Sequence, residues 1–287
     1  MRKIVLCFGT LISLFLLLSC SGNSNKQAGV PATMAELQKA KEVISYYSTS
    51  LEVLKNLVNE KEINALLDYM NLKGKAPAVP TIVEPMISPK DSAILMKPDS
   101  CFNAATRRNL TQNYAGLFNT RNEFYMNFDA YQNFMKEKNV TEADKLLQAN
   151  YQLSIEMSEY KQNIYDILTP FTEQAEQVIL AENPLKEHIV AIGKMSGEVQ
   201  NIINLYAGRH AMRDARINDD VAKLTKELEL AKKLPAVPGH EKEMKDYNHF
   251  LTQVEAFLKV LPQVRANGAY SESGYDMLIN SYGLSLD

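Results

Sequence analysis

The sequence has no tryptophan, four histidines and three cysteines in 287 residues. It also lacks a Cys-x-x-Cys pair, a glycine-rich phosphate loop and a Gly-x-Ser-x-Gly elbow. These absences remove the commonest signatures of structural zinc sites, nucleotide binding and serine hydrolysis. With 12 Gly and 11 Pro the chain is neither collagen-like nor of low complexity. A net charge of −3 supplies no excess of cations for binding nucleic acid. No apolar run reaches the roughly 20 residues that a transmembrane helix takes.

What is present begins with an address. Arg2 and Lys3 precede an apolar run, Ile4–Leu18, that closes on Ser19 and Cys20. A short basic segment, a short apolar segment and a small residue before the break make a secretory signal. Leu17-Leu18-Ser19-Cys20 resembles the lipobox of bacterial lipoproteins. That resemblance implies cleavage before Cys20, lipidation of its thiol and acylation of its new amine. Residues 1–19 are then the signal peptide. Residues 20–32, small and polar with Lys26 the one charge, form the lipidated end and a flexible tether. Ser21 stands where lipoproteins kept in the inner membrane usually carry Asp, and no acidic export run follows. The expectation is an outer-membrane anchor facing the periplasm. Cys7 leaves with the signal and Cys20 is lipidated, so Cys101 has no partner for an internal disulfide. Beside Phe102 it reads as a small buried hydrophobe.

Residues 33–287 read as an all-α domain, an elongated antiparallel bundle with one proline-rich strap. Leu37, Ala40, Val43, Tyr47, Leu51, Leu54 and Val58 keep helical spacing, and the pattern resumes at Ile63 after a break near Asn59. Leu110, Tyr114, Leu117, Arg121, Phe124, Phe128, Tyr131 and Met135 follow a heptad spacing. Leu146, Asn150, Leu153, Met157, Tyr160, Ile164, Ile167 and Phe171 continue it on a second helix, which Thr141-Glu142-Ala143-Asp144 is expected to cap and Pro170 to kink. One further long helix runs from Leu185 to Leu228, another covers Glu241–Val264, and the tail carries Tyr270, Tyr275 and Tyr282. Between residues 73 and 100, Pro77, Pro80, Pro85, Pro89 and Pro98 exclude a helix. Val79, Ile82, Val83, Met86, Ile94 and Leu95 nevertheless make this stretch a strap across the helices, with room for one short strand pair.

The candidate site lies where polar residues interrupt the apolar seams. Antiparallel pairing around a turn at Asn139-Val140 puts Arg121 level with Ser158 and Glu159, and the next turn brings Arg209 and His210 to that height. Asp129, Asn150 and Arg216 make a second level, with Arg213 one turn away. Such layers either fix the register of the bundle or hold a polar ligand between helices. A guanidinium removed from water needs a partner, and Glu159 is the acid that helix arithmetic brings nearest to Arg121. His240 and Glu243 have His-x-x-Glu spacing. With His210 they are the residues a helical metal-dependent hydrolase would use, although Met244 stands where a zinc-protease helix needs its second His.

A lipobox, a polar tether and Tyr- and Asn-rich helices broken by a proline-rich stretch resemble the YiiG-like family of bacterial lipoproteins. The resemblance implies an address and a class, and it transfers no catalytic residue. The expectation is a non-enzymatic binding or scaffold lipoprotein without a cofactor. Its partners are the membrane, through the lipid, and an envelope protein or small polar ligand, with no nucleic acid.

Overall fold

The structure is a computed structural model that describes residues 32–73, 78–82, 87–207, 213–266 and 270–283. Among these residues the chain is helical and contains no strand. The helices are α1 (Met34–Leu57), α2 (Glu60–Asn71), α3 (Pro89–Met96), α4 (Ala104–Lys136), α5 (Val140–Ile179), α6 (Lys186–Ala207), α7 (Arg213–Ala231), α8 (Glu241–Arg265) and α9 (Glu272–Ser281).

Local chemistry sets the boundaries. Asn59 ends α1 and caps α2, its side chain accepting from the Glu62 N–H at 3.2 Å. Asn103 caps α4 in the same way at 2.9 Å. The turn between α4 and α5 forms around Lys138 at φ 60°. There Asn139, rather than Thr141, receives the Glu142 N–H at 3.4 Å, so α5 starts earlier than the capping motif suggested. The helix expected from Leu185 to Leu228 is two helices, α6 and α7. Residues 208–212 between them, His210 included, lie outside the described residues.

The proline-rich stretch corrects the expectation most clearly, because a helix does form there. Ser88 caps α3 by accepting the Asp91 N–H at 3.0 Å, and Pro89 occupies the first helical turn, where a missing N–H costs nothing. Pro98 falls just past the end. These prolines bound a helix of eight residues instead of preventing one. Leu95 on α3 is fully buried, and its carbonyl accepts from Tyr46 Oη at 3.1 Å.

The helices pack as two compact units. The N-terminal unit comprises the described residues of Ser45–Pro170 with Ala207 and Arg213. The C-terminal unit comprises, of the described residues, those up to Ile44, Phe171–Tyr206 and those from Asp214 onward. Helix α5 runs through Pro170, the last residue of the N-terminal unit, and its remaining turns belong to the C-terminal unit.

In the N-terminal unit the α4 seam is buried as its spacing implies, at Leu110, Tyr114, Leu117, Phe124, Phe128 and Tyr131. The α5 stripe departs from the heptad reading. Its buried residues are Ala143, Leu147, Asn150, Leu153, Ser154, Met157, Lys161, Gln162, Ile164, Tyr165 and Leu168. A straight helix has 3.6 residues per turn, so a stripe that starts on a 3.5 repeat moves off it within a few turns. Lys161 thus replaces Tyr160 and Leu168 replaces Ile167, while at the start of the helix Leu147 is buried instead of Leu146. Cys101 is buried beside Phe102, which meets Tyr46 edge-on at 5.1 Å between ring centroids.

The C-terminal unit has a mostly apolar core built from Met195, Val199, Ile202 and Ile203 of α6, Leu224 and Leu228 of α7, Val254, Phe257 and Leu261 of α8, and Leu278 of α9. Tyrosines fasten the tail to it. Tyr282 Oη lies 2.7 Å from Ser196 Oγ, and the Ser271 N–H donates to Tyr206 Oη at 3.2 Å.

Candidate functional site: a buried polar seam around α2

The break between α1 and α2 creates the polar centre of the N-terminal unit. Where a helix ends, its last carbonyls lose their partners and must be met from elsewhere. The Val58 carbonyl accepts from Lys161 Nζ at 3.4 Å, and the same ammonium pairs with the Glu60 carboxylate. Both side chains are about nine-tenths or more buried. Asn64 Nδ2 donates to the Glu60 carbonyl at 2.8 Å and to the carbonyl of Ala207, the last residue of α6, at 3.1 Å. The far end of α2 is closed from α4, where Tyr131 Oη donates to the Met70 carbonyl at 2.6 Å. Lys73 adds a half-exposed bridge to Asp144 at 2.8 Å.

Beside the ion pair lies a cavity of about 10 Å³, lined by Val58, Glu60, Ile63, Asn64, Ser154, Ser158 and Ala207. That is room for about one water molecule. Ser154 Oγ is committed to the Tyr151 carbonyl at 2.7 Å. A buried ion pair contributes little net stability, but removing one partner strands the other charge at a cost of about 3–5 kcal/mol.

Arg121 finds a different neighbour from the one sequence spacing suggested. Its guanidinium carbon sits 4.3 Å from the Tyr125 ring centroid, one turn along α4, while Glu159 is exposed on α5. Thr120 takes the buried position, which lets Arg121 lay its stem along the helix and keep its charge over an aromatic face. The Arg121 Nε itself is buried without a hydrogen-bond partner. Tyr125 Oη donates to the Glu62 carboxylate, and burial, followed by that carboxylate, raises its phenol well above the ordinary value. Asn150 is fully buried on the α5 seam. Its Nδ2 donates to the Phe124 carbonyl at 3.0 Å, its Oδ1 has no partner, and Asp129 of the expected second level is exposed.

Of the other sequence candidates, Cys20 and His210 lie outside the described residues. Arg213 opens α7, and Arg216 belongs to the C-terminal unit. His240 Nδ1 is 3.9 Å from Glu243 Oε2, both partly exposed, and His249 is exposed. Among the described residues no group of three His, Cys, Asp or Glu converges to hold a metal. Zinc sites use three or four protein ligands, so the pair alone falls short. Sequence reading missed Lys161 and Glu60. The available signal was the 3.6-residue drift along α5, which moves Lys161 onto the buried stripe.

A family model described as a domain of unknown function, DUF6845, matches residues 34–182, and one described as the DUF3829-like C-terminal domain matches residues 184–287. An uncharacterized DUF3829-like protein from Bacteroides thetaiotaomicron VPI-5482 is 44% identical, with a TM-score of 0.78 over 88% of this chain and 100% of that one. The chain belongs to the DUF3829-like family. A solved structure described as an alpha helical protein from Bacteroides fragilis NCTC 9343 is 57% identical, with a TM-score of 0.81 over 89% of this chain and 100% of that one. No curated protein matches. The two family models meet at Asn183, between α5 and α6, whereas packing assigns the end of α5 to the C-terminal unit.

Proposed function

We propose that this DUF3829-like protein is a lipoprotein of a bacterial envelope, anchored to the outer membrane through Cys20, facing the periplasm and acting as a non-enzymatic scaffold or binding protein. The observation behind the scaffold reading is how the N-terminal unit uses its buried polar groups. Lys161, Asn64, Tyr131 and Asn150 all turn to helix ends or backbone carbonyls of neighbouring helices. Groups committed in this way fix the register of a bundle. The cavity beside them suits a water molecule, not a metabolite. At this seam a ligand larger than water has no room, so a partner of the envelope would meet this part of the protein at its surface.

The anchor rests on Leu17-Leu18-Ser19-Cys20 and the polar tether after it, the features that also carry the resemblance to YiiG-like lipoproteins. Several acyl chains at about 0.8 kcal/mol per buried methylene hold a protein durably in a membrane. Among the described residues no helix is long and apolar enough to do so. Growth with labelled palmitate followed by membrane fractionation tests the reading. Label in the outer-membrane fraction, lost together with membrane retention in Cys20→Ala, is the expected result. Membrane retention of an unlabelled Cys20→Ala protein would refute it, and protease sensitivity in intact cells would refute the periplasmic orientation.

A further inference from the structure

His188 is the most isolated polar side chain of the C-terminal unit. It sits in the first turn of α6 and is 4% exposed, and neither ring nitrogen meets a hydrogen-bond partner. The ring stands edge-on to Tyr247 of α8, with 4.7 Å between centroids. Tyr247 Oη in turn donates at 2.9 Å to the carbonyl of Ala231, the last residue of α7. The connection from α7 to α8, Leu234-Pro235-Ala236-Val237-Pro238-Gly239, carries no charge; its Pro235 carbonyl favours a protonated ring but makes no hydrogen bond to it in the closed state.

We propose that His188 is an acid-sensitive latch on the α7–α8 corner: neutral, it holds Tyr247 and the 232–240 connection closed, and protonated, it opens them. An imidazolium carries two N–H donors and a charge, and each demands a partner when buried. The surroundings do not supply them. On its own helix Glu187 is exposed, so water screens its charge. From α8 the facing group is Tyr247, whose phenol is pushed up to about 12 by burial and stays neutral. At the α7 end Lys232 is engaged by Glu229 at 3.1 Å and Glu255 at 2.9 Å, and Lys233 is exposed. The connection itself contributes one carbonyl. Acid therefore leaves at least one donor of the imidazolium unmet unless the corner opens to water, and that opening releases the N-terminal turn of α8.

Burial holds the His188 ring below its ordinary titration value, so the switch lies on the acid side of neutrality. Hydrogen–deuterium exchange on the full chain, corrected for the intrinsic effect of pH, tests the latch. Protection over residues 232–247 should fall by up to about tenfold per pH unit as pH drops from about 6.5 to the lowered value of the closed His188 ring and level off below it, while α4 stays protected. His188→Phe keeps a ring against Tyr247 and removes the proton site, so it should abolish the pH response of that segment. His188→Gln serves as the second non-titrating variant if the Phe ring does not fit. The same response in wild type and either folded variant would overturn the latch. So would an NMR titration of the wild-type His188 ring at or above the ordinary histidine value.

Discussion

The two units solve the same packing problem with different chemistry. The C-terminal unit closes around aliphatic and aromatic side chains and fastens its tail with tyrosine hydroxyls. The N-terminal unit places an ion pair, two asparagines and several tyrosine hydroxyls inside, and with them ties down the short helix α2. Apolar burial is non-directional, so a core made that way tolerates repacking. Buried polar groups accept only arrangements that satisfy them, because an unmet one costs about 1–3 kcal/mol. The N-terminal unit therefore gains definition of register from groups that add little net stability, as expected of a part that holds a fixed shape.

The contrast can be broken most severely by cutting the chain where its two family matches meet. Residues 184–287 lack Ala40, Val43 and Ile44 of α1, Ala175 of α5 and Leu180 just after it, which belong to the C-terminal unit and are buried. A protein limited to residues 184–287 should lose cooperative folding in circular-dichroism melts, since each large apolar side chain contributes about 1.5–3 kcal/mol by burial. A cooperative melt equal to that of the full chain would show that packing follows the family boundary instead.

A smaller effect sharpens the account of the C-terminal unit. Glu176 lies against Gly193, and burial, followed by the neighbouring Glu173, raises its carboxyl to about 7. Its neutral form is favoured in the fold, so its contribution is complete below the unfolded value of 4.5 and disappears as pH rises through about 7. Glu176→Gln should leave stability unchanged in acid and raise it above neutral pH. The expected gain in urea denaturation is about 1–2 kcal/mol, with solvent screening of a partly exposed group allowed for. His188 works in the opposite direction, because its lowered value makes its contribution complete above about 6.5 and lost in acid. The two contributions therefore oppose each other: no pH gives both in full, and the loss at Glu176 partly offsets the gain at His188 as pH rises.

The smallest effect belongs to the residue that interrupts the α4 seam. Arg121 spends its charge on the Tyr125 ring, so Arg121→Met should cost less than about 1 kcal/mol. A loss of several kcal/mol would mean that the guanidinium is paired in a way the ring contact does not describe.

These cases also mark how far the sequence could be read. Helical spacing located the long helices and the buried face of α4, because an apolar seam repeats over many turns and errors average out. The single polar residues were harder to place. A shift of one position moves a side chain about 100° around a helix, enough to exchange Tyr160 for Lys161 at the interior. Helix α3 was obscured by counting prolines without their positions, since Pro89 at a helix start and Pro98 after its end both suit a helix. The tail tyrosines gave no local sign of burial, because the groups they meet, Ser196 for Tyr282 and the Tyr206 ring for Tyr270, lie on α6, far away in sequence.

The central claim is that the buried polar seam around α2 is structural. A double-mutant cycle at Glu60 and Lys161, followed by urea denaturation of the full chain, tests it most directly. Lys161→Met and Glu60→Leu alone should each cost about 3–5 kcal/mol, and the double variant should recover most of that loss with its helical spectrum intact. Two single costs that add in the double variant, with no recovery, would contradict the claim by showing that each side chain acts independently of the other.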